Sequence, residues 1–173
     1  MIVRKAAESD IDAVSDIYLQ INDAEEKGTL TTGWERNVYP VRDTALEAFK
    51  NGELFVGEDN GIITGSAIIN RKQVDVYAGA GWKYEAPDDE VMVLHTLSVS
   101  PLMNGKGYGK EFVKFYEQYA LSEGCPYLRM DTNERNIRAR KIYHSLGYDE
   151  IGRASCCFNG IQGVILVLLE KKL

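Results

Sequence analysis

The sequence predicts a mixed α/β domain in which helices flank a central sheet, and three observations support this. Short apolar runs rich in β-branched residues alternate with longer stretches whose apolar residues recur at helical spacing. The 173 residues contain no repeat, no low-complexity tract and no dividing linker, so a single domain is expected. Apolar residues make up 45% of the chain and charged residues 27%, which excludes a disordered or collagen-like protein.

Capping and turn residues delimit the elements of the first half. Serine and aspartate are favoured N-cap residues, so Ser9 and Asp43 are the predicted starts of two helices. The dipeptide Asn60-Gly61 between two β-rich runs is typical of a hairpin turn. The predicted elements are a strand over 2–6, helices over 9–28 and 43–52, and strands over 53–58 and 62–70.

The second half begins with a strand that is apolar almost throughout, which is typical of a central position in a sheet. Pro101 ends this strand, and Gly124 and Gly147 are the expected ends of the two helices that follow. The predicted elements are a strand over 90–99, a helix over 111–124, a strand over 127–131, a helix over 136–146, and strands over 148–153 and 163–170. The Gly-rich stretch 74–89 has no regular pattern.

The net charge of −6 argues against general binding of nucleic acid, which needs a basic surface. The charge is unevenly distributed, because residues 1–101 carry a balance of −9 and residues 102–145 a balance of +3. The basic segment suits an anionic ligand, and the acidic part favours a cationic one.

The three cysteines show no metal-binding spacing, so no metal site is expected and free thiols in a reducing compartment are predicted. The N-terminal residues become polar too early for a signal peptide, and the longest apolar run, from Val164 to Leu169, is too short to span a bilayer. A cytoplasmic protein that does not associate with membranes is therefore expected.

A glycine-rich loop lies between the central strand and the next helix. Gly105, Gly107 and Gly109 allow close approach of the backbone to a ligand, and the helix that follows favours an anion at its positive end. Lys106 and Lys110 add positive charge, so a phosphate or pyrophosphate ligand is indicated. A sharp strand-to-helix turn without a ligand is the alternative reading. Neither a Walker string GxxxxGK[ST] nor a Rossmann GxGxxG opening the first βαβ unit is present.

The string Asn-Gly-Lys-Gly-Tyr-Gly that starts at Asn104 resembles the [R/Q]xxGxG/A pyrophosphate loop of the GNAT family of N-acetyltransferases. The preceding Leu-Ser-Val-Ser-Pro, from Leu97, is similar to the LxVxP strand end of that family. A second string, with Asn136, Ala139 and Tyr143 followed by Gly-Tyr, is similar to the family motif NxxAxxxYxxxGF. The resemblance is specific over about residues 90–150, and Asn104 departs from the usual Arg or Gln.

The resemblance implies the acyl-CoA N-acyltransferase fold, with a splayed, mostly antiparallel central sheet, and direct transfer of acetyl from acetyl-CoA to a primary amine in a ternary complex. The family's motifs place the pantetheine arm on the backbone of the strand end, the pyrophosphate on the glycine loop, and Asn136 beside the pantetheine or phosphate region. The implied cofactor-binding residues are Leu97, Ser98, Val99, Asn104, Gly105, Lys106, Gly107, Tyr108, Gly109, Lys110, Asn136, Ala139 and Tyr143.

Amine attack on a thioester needs a base for the amine and a proton donor for the departing thiolate. The resemblance implies that Tyr143 is the donor. His95 lies two residues before Leu97, so strand alternation predicts that the two share a face, and its ordinary pKa near 6.5 suits a base. Glu90 is a second candidate near the acceptor. A buried structural histidine, a solvated carboxylate and a water chain are the alternatives.

The loop between the first two helices commonly lines the acceptor pocket in this family, so Trp34 and Tyr39 are predicted as aromatic walls for a small-molecule or peptide amine. Tyr77, Trp82 and Tyr84 are candidates for the opposite side. Simple packing under a loop is the alternative for both sets. A CoA-binding regulatory module without catalysis is the rival function, and the resemblance also allows a homodimer.

Overall fold

The computed structural model describes residues 1–173 and confirms the predicted order of strands and helices. One seven-stranded sheet has the order β1-β2-β3-β4-β5-β7-β6. Its strands are β1 (Ile2–Lys5), β2 (Leu54–Asp59), β3 (Ile62–Asn70), β4 (Val91–Val99), β5 (Tyr127–Asn133), β6 (Asp149–Phe158) and β7 (Ile161–Lys172). The helices are α1 (Ile11–Glu26), α2 (Arg42–Lys50), α3 (Tyr108–Ser122) and α4 (Ile137–Ser145).

Apolar side chains cover both faces of the sheet. On one face, Phe112 and Tyr116 of α3 and Tyr143 of α4 pack on strand residues such as Met92 and Leu128. On the other face, α1 and α2 cover β2 and β3, and the irregular segment 71–90 covers β4, β5 and β7. The sheet is therefore buried from both sides, which explains why β4 reads as continuously apolar.

The sheet splits at its middle. Strands β4 and β5 are the one parallel pair, and their pairing runs only from Val91 with Tyr127 to Leu94 with Met130. Beyond this point β5 continues against β7 as far as Asn133, while β4 continues against β3. A wedge therefore opens between the second half of β4 and the end of β5, and the predicted splayed, mostly antiparallel sheet is confirmed.

A bulge in β4 changes which side chains share a face. The β3–β4 register shifts between Ser66 and Ile68, and Thr96 has a φ of +50°, a left-handed conformation that is unusual for threonine. Leu97 packs with the α3 side of the sheet, whereas His95 lies opposite Ile68 on the α1 side. The expectation that these two side chains share a face is wrong, because the bulge interrupts the alternation.

Three predicted helix and strand starts are also corrected. Ser9 lies inside a single 3-10 turn, and Asp10 precedes α1 with its carboxylate accepting the Ala7 N–H at 2.8 Å. Asp43 lies in the first turn of α2 rather than at its cap. Glu90 ends a 3-10 turn just before β4.

The last hairpin is longer than predicted. Strand β6 extends to Phe158 and β7 begins at Ile161, although the sequence predicted strands over 148–153 and 163–170. The turn consists of Asn159 and Gly160, both with positive φ. This Asn-Gly dipeptide is the same hairpin signal that marks the β2–β3 turn, so the position of the β6–β7 turn is also indicated by the sequence.

Candidate active site

A cavity of about 890 Å³ lies along the wedge between β4 and β5. Its walls come from the α1–α2 loop, α2, the strand ends, the glycine loop, the first turns of α3 and α4, and the β6–β7 hairpin. Because the two strands diverge here, backbone groups and side chains at the centre of the sheet are accessible from the surface through this cavity.

The glycine loop at one end of the cavity presents free backbone donors. The N–H groups of the five residues Gly105 to Gly109 make no hydrogen bond within the protein. Gly105 and Gly107 have φ values of +84° and +81°, and an added Cβ at either would meet no atom within 4 Å. Helix α3 starts directly after Gly107, so its positive end points to the same place. Free N–H groups at the positive end of a helix are suited to bind an anion.

Most of the predicted cofactor-binding residues line the cavity. They are Leu97, Val99, Asn104, Gly105, Gly107, Tyr108, Gly109, Lys110, Asn136, Ala139 and Tyr143. Ser98 does not, because its side chain is buried on the β3 side and lies 2.7 Å from the Ser66 hydroxyl. Lys106 lies next to the cavity lining and its ammonium group packs over the Tyr108 ring. Asn136 also caps α4, because its Oδ1 accepts the Ala139 N–H at 3.2 Å.

Tyr143 projects from α4 into the cavity from the α3 side of the sheet. Its ring is part of the core and packs edge-on against Tyr148 at 6.2 Å. Its hydroxyl forms no hydrogen bond with the protein, although the residue is only 6% exposed. Burial, and then the nearby charge of Asp131, raise the pKa of Tyr143 above its ordinary value. The side chain therefore stays protonated and is free to donate.

Asp131 lines the cavity from the opposite face of the sheet and was not predicted from the sequence. It follows the last β4–β5 pair, where Met130 lies beside Leu94. The Tyr77 hydroxyl donates to its Oδ2 at 2.8 Å, while its Oδ1 makes no hydrogen bond with the protein. Burial raises the pKa of Asp131 to about 6. Its sequence signal was a carboxylate within a strand whose neighbouring residues, Leu128 and Met130, are apolar.

His95 lies beside Asp131 at the start of the wedge, but it is part of a polar network. Its Nε2 donates to Asn70 Oδ1 at 3.0 Å, since that oxygen can only accept. Asn70 in turn donates to Glu53, whose other oxygen lies 2.8 Å from the Lys72 ammonium group. Burial lowers the pKa of His95 to about 4, so the imidazole is neutral at physiological pH.

The two predicted aromatic walls belong to the lining of the cavity. Trp34 and Tyr39 both line it, with their rings edge-on at 6.5 Å. Glu25 fixes the start of this loop by accepting the N–H groups of Thr32 and Gly33, at 2.6 and 3.1 Å. The Tyr39 hydroxyl is hydrogen-bonded to Thr96 Oγ1 at the β4 bulge, which joins the loop to the sheet.

Four other candidates lie away from the cavity. Glu90 is at the opposite end of β4, and Tyr77, Trp82 and Tyr84 lie in the segment 71–90 on the outer face of the sheet. None of the four lines the cavity, although the Tyr77 hydroxyl is hydrogen-bonded to Asp131, which does. None of the helices combines the length and apolar character needed to cross a membrane.

Comparison with known proteins decides the family. Residues 18–148 match the family model described as Acetyltransferase (GNAT) family. The chain belongs to the GNAT family of acetyltransferases. The match includes both motifs and the two strands, β4 and β5, between which the wedge opens.

Individual relatives of this GNAT protein agree with that assignment. The bovine (Bos taurus) thialysine N-epsilon-acetyltransferase is 33% identical over 61 residues, which span 35% of this chain and 36% of that protein. A GNAT-family acetyltransferase from Streptococcus agalactiae has a TM-score of 0.81 at 21% identity, with 99% of this chain and 95% of that chain covered. The protein yncA from Salmonella typhimurium, solved with its cofactor acetyl-CoA, has a TM-score of 0.71 at 20% identity over 100% of this chain and 94% of that chain. At these identities, the two structural matches establish a shared fold.

Proposed function

We propose that this acetyltransferase uses acetyl-CoA and transfers its acetyl group directly to a primary amine while both are bound. The observation that carries the proposal is the run of unpaired N–H groups on the glycine loop, placed at the end of an open wedge. A pyrophosphate satisfies those donors, and a narrow extended arm fits beside the free edge of β4. The bound acetyl-CoA structure of the Salmonella relative with the same fold supports this choice.

The residues present fit both the pyrophosphate and the pantetheine arm of acetyl-CoA. The glycine loop supplies backbone donors, and Lys110 and Arg138, both in the cavity wall, add positive charge beside it. Leu97 and Val99 supply the strand edge for the pantetheine arm. When bound, acetyl-CoA supplies an activated acetyl thioester.

Asp131 and Tyr143 reach the wedge from opposite faces of the sheet. In the proposed reaction Asp131 accepts the proton that the amine loses as its C–N bond forms. Tyr143 gives a proton to the sulfur as the C–S bond breaks. A base with a pKa near 6 is ionised at physiological pH and still accepts a proton readily, whereas the neutral His95 has its Nε2 proton engaged by Asn70.

The positions of the cysteines support direct transfer. Cys125 is buried and its thiol is hydrogen-bonded by Arg71 at 3.2 Å, and Cys156 and Cys157 lie on β6. None of the three lines the cavity, which favours direct transfer over an acetyl-cysteine intermediate.

Acetyl-CoA is expected to raise the melting temperature of the protein by about 5–10 °C at 100 times its Kd, because it binds only the folded state. Differential scanning fluorimetry measures this shift, with NAD⁺ as a pyrophosphate-containing control. A panel of primary amines, assayed for released CoA thiol, then identifies acceptors. The absence of a shift at saturating acetyl-CoA contradicts the proposed cofactor. Binding without thiol release for any amine favours the regulatory module.

Tyr143→Phe is expected to lower kcat by about 100-fold, because it removes the proton donor and leaves the ring in the core. The Kd for acetyl-CoA should stay within about threefold, as measured by calorimetry, since the lost hydroxyl had no protein partner. The matched control is Tyr148→Phe, whose hydroxyl is also without a partner but lies away from the cavity. Equal turnover in the Tyr143 variant and the control rules out the proton-donor role.

A further inference from the structure

We infer that Tyr77 is a positioning residue for catalysis, which holds one oxygen of Asp131 from behind and leaves the other oxygen toward the acceptor. The inference rests on the proposed function and on Asp131 as the base. It assigns a purpose to segment 71–90, which packs on one face of the sheet and includes the stretch 74–89 that has no regular sequence pattern.

The contact between Tyr77 and Asp131 is specific. Tyr77 is only 3% exposed and does not line the cavity. Its hydroxyl donates to Asp131 Oδ2 at 2.8 Å, and this is the one hydrogen bond that the carboxylate makes with the protein. The hydrogen bond to one oxygen orients the carboxylate, so the remaining oxygen, Oδ1, is available to accept a proton from the attacking amine.

Segment 71–90 is docked so that this hydroxyl cannot easily move. Trp82 donates from Nε1 to the Tyr77 carbonyl at 3.0 Å, and the two rings meet edge-on at 5.0 Å. The Arg129 guanidinium stacks on Trp82 at 4.1 Å and donates to the Tyr84 carbonyl at 3.2 Å. Tyr77 is therefore held against the sheet through Trp82 and Arg129, and Arg129 lies two residues before Asp131 on β5.

The buried pair of Arg129 and Glu170 completes this support. Arg129 is 5% exposed and Glu170 is 1% exposed, so both charges lose their hydration. Such pairs are costly unless further hydrogen bonds satisfy them. Glu170 Oε2 accepts the N–H groups of Lys83 and Tyr84, at 2.8 and 3.4 Å. Both side chains are thus hydrogen-bonded to the backbone of segment 71–90, and this role accounts for two charged residues in the otherwise apolar layer between that segment and the sheet.

The one charged side chain on the same face is Arg129, two residues earlier on β5, and its guanidinium is paired with Glu170 at 3.6 Å. The other groups that face Asp131 carry no charge at neutral pH. They are Tyr77 from segment 71–90, Tyr39 from the α1–α2 loop, Tyr143 from α4 and Cys156 from β6. Strand β7 places Leu168 opposite Asp131, and the His95 imidazole of β4 is neutral. Burial raises the pKa of Asp131, and the Tyr77 hydrogen bond is what lowers it again. Loss of that bond must therefore raise the pKa.

The test is the pH dependence of kcat/KM in Tyr77→Phe, with the best amine of the panel as acceptor. The acid limb of the wild-type profile is expected near pH 6 and should move up by about one pH unit in the variant. The control is Tyr84→Phe, from the same segment, whose hydroxyl donates no hydrogen bond to the protein. Its acid limb should coincide with that of the wild type.

Two further measurements keep the result interpretable. The acetyl-CoA thermal shift of Tyr77→Phe should equal that of the wild type, which shows that the fold and the cofactor site are intact. Trp82→Phe removes the Nε1–H bond to Tyr77 and should move the acid limb in the same direction by a smaller amount. If Tyr77→Phe does not fold, the pH profile of Trp82→Phe tests the positioning role in its place.

An acid limb that stays within about 0.3 pH unit of the wild type in both variants overturns the positioning role, even if their activity falls. That outcome leaves the proposed function intact, because acetyl transfer itself is still observed. By contrast, if the wild-type protein transfers no acetyl group to any amine of the panel, the proposed function itself is wrong.

Discussion

Asp131→Asn is expected to lower kcat/KM by about 100- to 10 000-fold at neutral pH while the protein remains folded. The asparagine keeps the shape of the side chain and can still accept the Tyr77 hydroxyl proton, so the local structure should persist. The variant loses only the negative charge and the ability to take up a proton. Initial rates of CoA thiol release, over a range of amine concentrations, measure the effect.

The stability of the same variant should change in the opposite direction from its activity. Burial raises the pKa of Asp131 from 3.8 to about 6, so between these values the folded protein holds a proton that the unfolded chain has lost. The free energy of unfolding therefore falls as the pH rises through this window, by up to about 3 kcal/mol. Asparagine does not ionise and has no such cost. The melting temperature of the Asp131→Asn variant at pH 7.5 should therefore equal or exceed that of the wild type.

The pH profile distinguishes Asp131 from His95 as the base. A wild-type acid limb near pH 6 is expected for Asp131, whereas a limb near pH 4 is expected for His95. His95→Gln is the matched comparison, because it changes the adjacent side chain in the same cavity and should reduce kcat/KM less than Asp131→Asn does. A limb near pH 4, together with a larger loss in the His95 variant, would reverse the assignment.

The geometry of the glycine loop could be predicted from the sequence because it depends on the backbone. Gly105 and Gly107 adopt positive φ values just before an amphipathic helix, Gly109 lies in the first turn of that helix, and the N–H groups of all three are free. Likewise, the order of strands and helices follows from local periodicity and from turn dipeptides. These features depend on residues that are close together in the chain, so one sequence is enough to predict them.

The base could not be located in the same way, because its surroundings are tertiary. The bulge at Thr96 has no local signature, since threonine rarely adopts a positive φ, and it moves His95 and Leu97 to different faces. The surroundings of the half-buried Asp131 carboxylate depend on segment 71–90, which docks through contacts between residues far apart in the chain. Periodicity carries no information about such contacts.

Gly107→Val is expected to weaken acetyl-CoA binding by more than about 100-fold. Gly107 precedes α3 with a φ of +81°, and a β-branched side chain is strained in that conformation. An added Cβ would meet no protein atom within 4 Å, so the valine side chain would project into the space beside the unpaired N–H groups. Losing two or more charge-assisted hydrogen bonds to a pyrophosphate, at about 1.5–3 kcal/mol each, accounts for the predicted loss.

The control for backbone strain is Gly61→Val. Gly61 has a φ of +79° in the β2–β3 turn, and an added Cβ there also meets nothing within 4 Å. The two variants should therefore lose similar stability, but only Gly107→Val should lose the acetyl-CoA thermal shift and the calorimetric binding signal. If the Gly107 variant folds and binds acetyl-CoA within about threefold of the wild type, the pyrophosphate does not lie against this loop. Weakened binding in both variants would instead attribute the loss to general destabilisation, because the hairpin turn lies outside the cavity wall.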